Sequence, residues 1–212
     1  HLYNPIEEMR EMTNVLPVGG HMMFAAPAID KMLEDNYTNA MNFEHTYLLC
    51  ERKINHILNC CGLHVVDKKY FSKHAAFYIA QKKHPQTTPS LKCSYQTDVD
   101  IFMNFAQYHA SEVQKIRGQM NIPKQNTFIF GAHIFTQYLL AFGLQEDTFL
   151  NVLDNDPDKQ GHTLYGTELV VKSPKILKNV ENPLVVLKAA MYTDEIKNDI
   201  LQNINSNTRF IL

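Results

Sequence analysis

Residues 123–212 switch repeatedly between two hydrophobic patterns, and this alternation restricts the fold more than any other feature of the chain. "TFIFGA" is a short apolar run bounded by turn formers, as a buried strand requires, whereas "HIFTQYLLAFGL" is long enough for a helix and closes on Gly143. "DTFLNVLDND" predicts a second strand. "SPKILKNV" predicts a helix with Ser173 as cap and Pro174 in its first position, and "PLVVLKAA" a third strand. "TDEIKNDILQNI" follows as a helix capped by Thr193 or Asp194, and "TRFIL" is the last strand. Strands alternating with helices predict a mostly parallel sheet with helices on its faces, a small Rossmann-like α/β domain.

The front of the chain, residues 1–84, has a different rhythm. Pro5 opens "PIEEMREMTNVL" as a helix with acidic residues near its start, and Pro17–Gly20 breaks it. "HMMFAAP" then suits a short buried strand, and "AIDKMLED" and "ERKINHILNCCG" suit helices, the second stopped by Gly62. "LHVVDKKYF" and "HAAFYIAQKK" are separated by little more than a turn, so they are expected to pair antiparallel, because a parallel crossover needs about a dozen residues or more. Residues 85–122 are expected to connect the two parts. "KKHPQTTPSLK" (82–92) reads as a linker, and "YQTDVDIFMNFAQYHASEVQKIRGQMN" as one long helix ended by Pro123, with Val99, Phe102, Met103, Ala106, Ala110 and Val113 as its apolar stripe.

Composition narrows the function classes. With 212 residues, 45 % of them hydrophobic, 20 % charged and a formal net charge of -2, the chain has material for a real core and no concentrated basic face for nucleic acid. No apolar run reaches the length of a membrane span. Cys50, Cys60, Cys61 and Cys93 form no CxxC pair and are read as reduced thiols of a cytoplasmic protein. The ten histidines include no HxxxH or HExxH pair, so no metal site is expected.

Two stretches carry candidate chemistry. In "FGAHIF", Gly131 sits where a dinucleotide-binding domain places its glycine-rich turn, and Asp154 ends the next strand, the position from which an acidic residue grips a ribose. His133 and Phe135 stand where further glycines would be, which leaves a plain strand-to-helix turn as the other reading. Asp154 and Asp156 belong to the polar loop "DNDPDKQGHTLYGT", which is either a ligand loop at the carboxyl edge of the sheet or a well-capped surface loop. The second stretch is "NAMNFEHTYLL", which sets Glu44 and His45 side by side among apolar and amide residues.

On these residues the chain resembles the sugar C-methyltransferase family, whose members use S-adenosylmethionine to add a branching methyl to nucleotide-linked keto-deoxysugars. "HLYNPIEEMREMTNVLPVGGHMMFAAP" looks like the second half of a class I methyltransferase domain, with Pro17-Val18-Gly19-Gly20 as the turn before its fifth strand. The two later strands resemble the antiparallel sixth and seventh strands. "FGAHIFTQYLLAFGL…VLDNDPDKQGHTLYGTELVV" resembles the family's C-terminal domain, and "FEHT" and "LDNDPDKQG" are the most specific pieces. The resemblance implies a partial class I methyltransferase sheet over residues 1–84, a helical linker over 85–122 and a Rossmann-like domain over 123–212. The cysteine-rich zinc region and the glycine-rich first half of the methyltransferase domain are not in this sequence. The chain is therefore expected to be the back end of such an enzyme, with an unpaired sheet edge that can pair two copies and little grip on the donor by itself. Oligomeric state stays open.

The family's chemistry removes a proton beside a ketone, and the resulting enolate attacks the methyl sulfonium. A base with a pKa near neutrality suits the first step. The resemblance assigns that role to His45, with Glu44 orienting the site or binding a sugar hydroxyl and His1 as a second histidine near the substrate. It brings His74 to a turn that faces the substrate. Asn42 stands where the family carries tyrosine, so it can hydrogen-bond a ketone oxygen but lacks the phenol's acidity. The rival reading is a non-catalytic module, residues 123–212, that binds substrate or a partner through Asp154 and Asp156.

Overall fold

The computed structural model describes residues 2–41, 45–72, 74–84, 90–91, 93–120, 126–189 and 192–212. The chain forms two compact units, His1–Ala106 and Gln107–Leu212, which divide within a long helix.

In the first unit, helix α1 (Pro5–Asn14) starts at a proline, and the Glu8 carboxylate reaches back to accept from the Tyr3 and Asn4 amides at 3.2 and 3.1 Å. At its other end the Lys82 ammonium donates to the Thr13 and Leu16 carbonyls at 2.9 and 2.8 Å, satisfying groups that a helix end leaves open. The Pro17–Gly20 turn needs its glycines. Gly19 has φ +86°, and a Cβ on Gly20 would stand 2.9 Å from the Pro17 carbonyl oxygen. Beyond it come β1 (His21–Pro27), α2 (Ile29–Glu34), a 3₁₀ turn over Thr38–Met41, α3 (Glu51–Cys60) and the hairpin β2 (Leu63–Phe71) and β3 (Ala75–Lys82).

The three strands lie in the order β1-β3-β2, with β3 antiparallel to both neighbours. One face carries Met22, Phe24, Ala76, Tyr78, Ala80 and Leu63, covered by Ile54 and Leu58 of α3 and Met9 of α1. On the other, Met23 is 75 % exposed, Phe77 51 % and Phe71 58 %. "HMMFAAP" is therefore not the buried strand its composition suggested. It is an edge strand of a sheet covered on one face, so its residues alternate between exposed and half-buried. Its outer edge has no strand partner among the described residues.

The long helix α4 (Tyr95–Gln119) begins in the first unit, where Asp98 receives Arg52 of α3 at 3.1 Å. Its buried positions are Phe105, His109, Val113 and Ile116. The expected stripe holds at Val113 but not at Phe102, 40 % exposed, or Met103, 58 % exposed. Apolar composition alone marked too many candidates on this helix, and the buried His109, ringed by Phe135, Tyr138 and Phe142, was hidden by its polarity.

The second unit is an α/β fold around a five-stranded, all-parallel sheet, compatible with a Rossmann-like architecture. Its strands are β4 (Thr127–Phe130), β5 (Asn151–Leu153), β6 (Val171–Lys172), β7 (Leu184–Leu187) and β8 (Arg209–Ile211), in the order β6-β5-β4-β7-β8. All of β4 and β7 is buried, as central parallel strands covered on both faces require. Val113 and Ile116 of α4 and Leu139 of α5 (Ile134–Ala141) lie on one face with Ile129, Val152 and Val186. Leu177 and Ile200 cover the other, against Phe128, Leu153, Val185 and Leu187.

Local details differ from expectation for identifiable reasons. "SPKILKNV" is a 3₁₀ helix, Pro174–Asn179, with the Ser173 hydroxyl accepting from the Lys175 amide. The short β6 was not foreseen, since two residues carry no periodicity. Helix α6 (Thr193–Asp199) runs on into a π-helical turn, Ile200–Ile204, and has no side-chain cap. The Thr193 hydroxyl instead accepts from the preceding Ala189 amide at 3.1 Å. No helix of the described residues is long and apolar enough to cross a membrane.

Leu187→Ala, at a fully buried position of a central strand, should lower unfolding free energy by about 3 kcal/mol in urea denaturation. Met23→Ala on the bare face should change it by less than about 0.5 kcal/mol.

Candidate functional site

His45 lies at a cavity of about 330 Å³ in the first unit, walled by Phe24 and Pro27 of β1, Ile29 of α2, Ile54 and Ile57 of α3, and Tyr47. The segment that carries His45 is fastened by its neighbours: the Thr46 hydroxyl donates to the Leu2 carbonyl at 2.6 Å and the Tyr47 hydroxyl to the Tyr3 carbonyl at 3.0 Å. The His45 Nδ1 atom lies 3.1 Å from the carbonyl oxygen of the buried Ala40. A carbonyl only accepts, so this bond requires the proton on Nδ1 and leaves the basic lone pair on Nε2. The half-buried imidazole thus stands at the edge of a mostly apolar cavity.

Glu44, Asn42 and His1 lie outside the described residues. His74 is exposed in the β2–β3 turn and does not line the His45 cavity. Its ring stands 5.6 Å from Phe71 and 6.5 Å from Tyr37, and its carbonyl accepts from the Ala28 amide at 3.1 Å. That bond ties the hairpin turn to the end of β1, which borders the cavity. The described geometry thus gives His74 a positioning contact made by its backbone.

In the second unit Asp154 is buried at 8 % exposure and engaged on every side. Its carboxylate accepts from the Ala132 amide at 2.7 Å, the Asp156 amide at 2.9 Å and the Lys159 ammonium at 3.4 Å. The carboxylate expected to hold a ribose instead clamps the turn after β4 to the loop after β5. Asp156 accepts from the Asp158 amide at 3.0 Å and stays at the surface, a loop-forming role. The His133 ring lies over Gly131, where an added Cβ would meet its Nε2 at 2.3 Å. Burial pushes this imidazole below its ordinary pKa, with Asp154 opposing. The space a pyrophosphate would take at this turn is filled by a side chain.

Sequence reasoning missed a polar network at the other side of α3. The Glu51 carboxylate accepts from the Lys68 ammonium and, at 2.8 Å, from the Tyr70 hydroxyl, while its amide donates to Asp30 at 3.2 Å. The Lys68 ammonium chiefly, with help from the Tyr70 hydroxyl and against the effect of burial, holds Glu51 below the usual carboxylate range. Only the register of β2, set by a bulge between Val65 and Asp67, turns Lys68 and Tyr70 to the covered face. Alternation in "KKYF" was the available signal, and an unseen bulge reverses its meaning. Among the described residues no group of three or more His, Cys, Asp or Glu side chains could hold a metal ion.

No family model matches this chain, and no curated protein matches it.

Asp154→Ala leaves two turn amides without their acceptor and should cost about 3 kcal/mol in urea denaturation. For Glu51 the folded pKa lies below the unfolded one. The stability it adds is therefore complete above the unfolded value and lost as pH falls through the folded value. Lys68→Met should flatten that acid-side loss in a series of Tm against pH, while lowering Tm at neutral pH.

Proposed function

We propose that this chain belongs to an S-adenosylmethionine-dependent C-methyltransferase acting on a nucleotide-linked keto-sugar, with His45 as the general base. The observation that carries the reading is the bond from the His45 ring to the Ala40 carbonyl at the edge of an apolar cavity, which leaves Nε2 as the basic atom. The antiparallel β2–β3 hairpin, paired onto β1 beyond the Pro17–Gly20 turn, supports it as the counterpart of the last strands of a class I methyltransferase domain.

Bound in the cavity, the acceptor's carbon beside the ketone gives its proton to His45 Nε2, and the electron pair delocalises onto the ketone oxygen as an enolate. His45 becomes an imidazolium whose Nδ1 proton stays on the Ala40 carbonyl, and it returns its extra proton to solvent. The apolar walls keep water from the enolate carbon. S-adenosylmethionine supplies an electrophilic methyl group when bound. The described residues offer no cradle for it: Gly19 and Gly20 close a tight turn on Pro17, and Gly131 is covered by His133, so no residue here is assigned to the donor.

The rival reading, a binding module in the second unit, has less behind it because the Asp154 oxygens already serve the fold.

In the full-length protein, His45→Ala should reduce methyl transfer to nucleotide-linked keto-sugars by roughly 10²–10⁴-fold. It should also abolish exchange of the acceptor's α-proton with deuterated solvent. Unchanged turnover in His45→Ala, with lost acceptor binding in Asp154→Asn, would move the function to the second unit.

A further inference from the structure

A second cavity of the first unit, about 290 Å³, is unlike the His45 cavity in chemistry. Its wall carries three carboxylates, Asp30, Glu34 and Glu51, against one ammonium, Lys31, together with two phenols, Tyr70 and Tyr78. Tyr78 is the telling member. It is 2 % exposed, stacked on Phe24 with ring centroids 5.0 Å apart, and its hydroxyl makes no hydrogen bond with any described residue. Tyr78 lines this cavity together with Glu51 and Asp30, two of the charges that act on its phenol. Burial first, and the Glu51 charge second, push its pKa up to about 12. The phenol is therefore neutral at pH 7 and able to give or accept a hydrogen bond.

From the Tyr78 hydroxyl, which closes an otherwise buried side chain at this cavity without a hydrogen bond to a described residue, and from the carboxylates beside it, we infer that this cavity binds a small protonated amine. The ammonium finds the Asp30 carboxylate as its charge partner, with Glu34 shared with Lys31, and the Tyr78 oxygen as a further acceptor. Tyr70 already has a cation on its ring, the Lys68 ammonium 4.6 Å from the centroid, which shows the same preference on the adjoining wall. Glu51 is occupied by Lys68 and Tyr70, so it supplies field rather than a direct contact. A metal ion suits the wall poorly, because protonated phenols are weak ligands and no group of three or more His, Cys, Asp or Glu side chains among the described residues could hold one. This site stands apart from His45 and does not depend on the methyltransferase reading.

The test is titration of the full chain, labelled with ¹³C at tyrosine Cζ, with ethanolammonium chloride. The Tyr78 signal is assigned by its disappearance in Tyr78→Phe, which keeps the stack on Phe24. Expected are a saturable shift of that signal, no shift with ethylene glycol, and none with sodium chloride at equal ionic strength. Calorimetric titration should show binding weakened roughly fivefold in Tyr78→Phe and roughly tenfold in Asp30→Asn. Asparagine at position 30 can still accept from the Glu51 amide, and Tm reports that the fold is kept. A Tyr78 signal that ignores ethanolammonium, the same shift with magnesium chloride, or equal affinity in both variants overturns the inference.

Discussion

Strand β3 is the member on which the first unit depends. It alone bonds both β1 and β2, and its Ala76, Tyr78 and Ala80 form the floor on which α3 rests. Because β3 runs against both neighbours, the end of β1 and the β2–β3 turn fall together, and the Ala28–His74 backbone bond locks them. The two cavities of the unit both border Pro27, at the end of β1, and take their different characters from the elements beside it. The 45–50 segment and the apolar side of α3 enclose one. The polar start of α3 and the outer half of the hairpin enclose the other.

The second unit solves a simpler problem. Two fully buried strands need cover on both faces, and helices supply it on each side. Its carboxyl edge is where such sheets usually hold ligands, yet here the turn after β4 is closed by its own residues, Asp154 beneath and His133 above. A motif position and a motif role are different things. The acidic residue is in place, and its oxygens serve backbone amides.

Strand and helix order was legible in the sequence from the switches in period, and the hairpin from the shortness of the connection between β2 and β3. What a single chain does not print is which face of an element is covered. "HMMFAAP" looked buried because nothing local says that its sheet is covered on one side alone. The α4 stripe was misread in part because a buried histidine counts as polar. The Val66 bulge moved Lys68 and Tyr70 across the sheet, which put the Glu51 network beyond reach of alternation. His45 is a candidate through the resemblance of its surroundings in sequence, whereas its hydrogen-bond partner, the Ala40 carbonyl, is a backbone group with no sequence signal.

The account of the site rests on the tautomer of His45. The most direct measurement is ¹⁵N NMR of the imidazole, with His45 assigned by its loss in His45→Gln, followed across neutral pH. The account requires a protonated Nδ1 and an unprotonated, basic Nε2 in the neutral ring. A neutral ring with its proton on Nε2 and its lone pair on Nδ1 would contradict it.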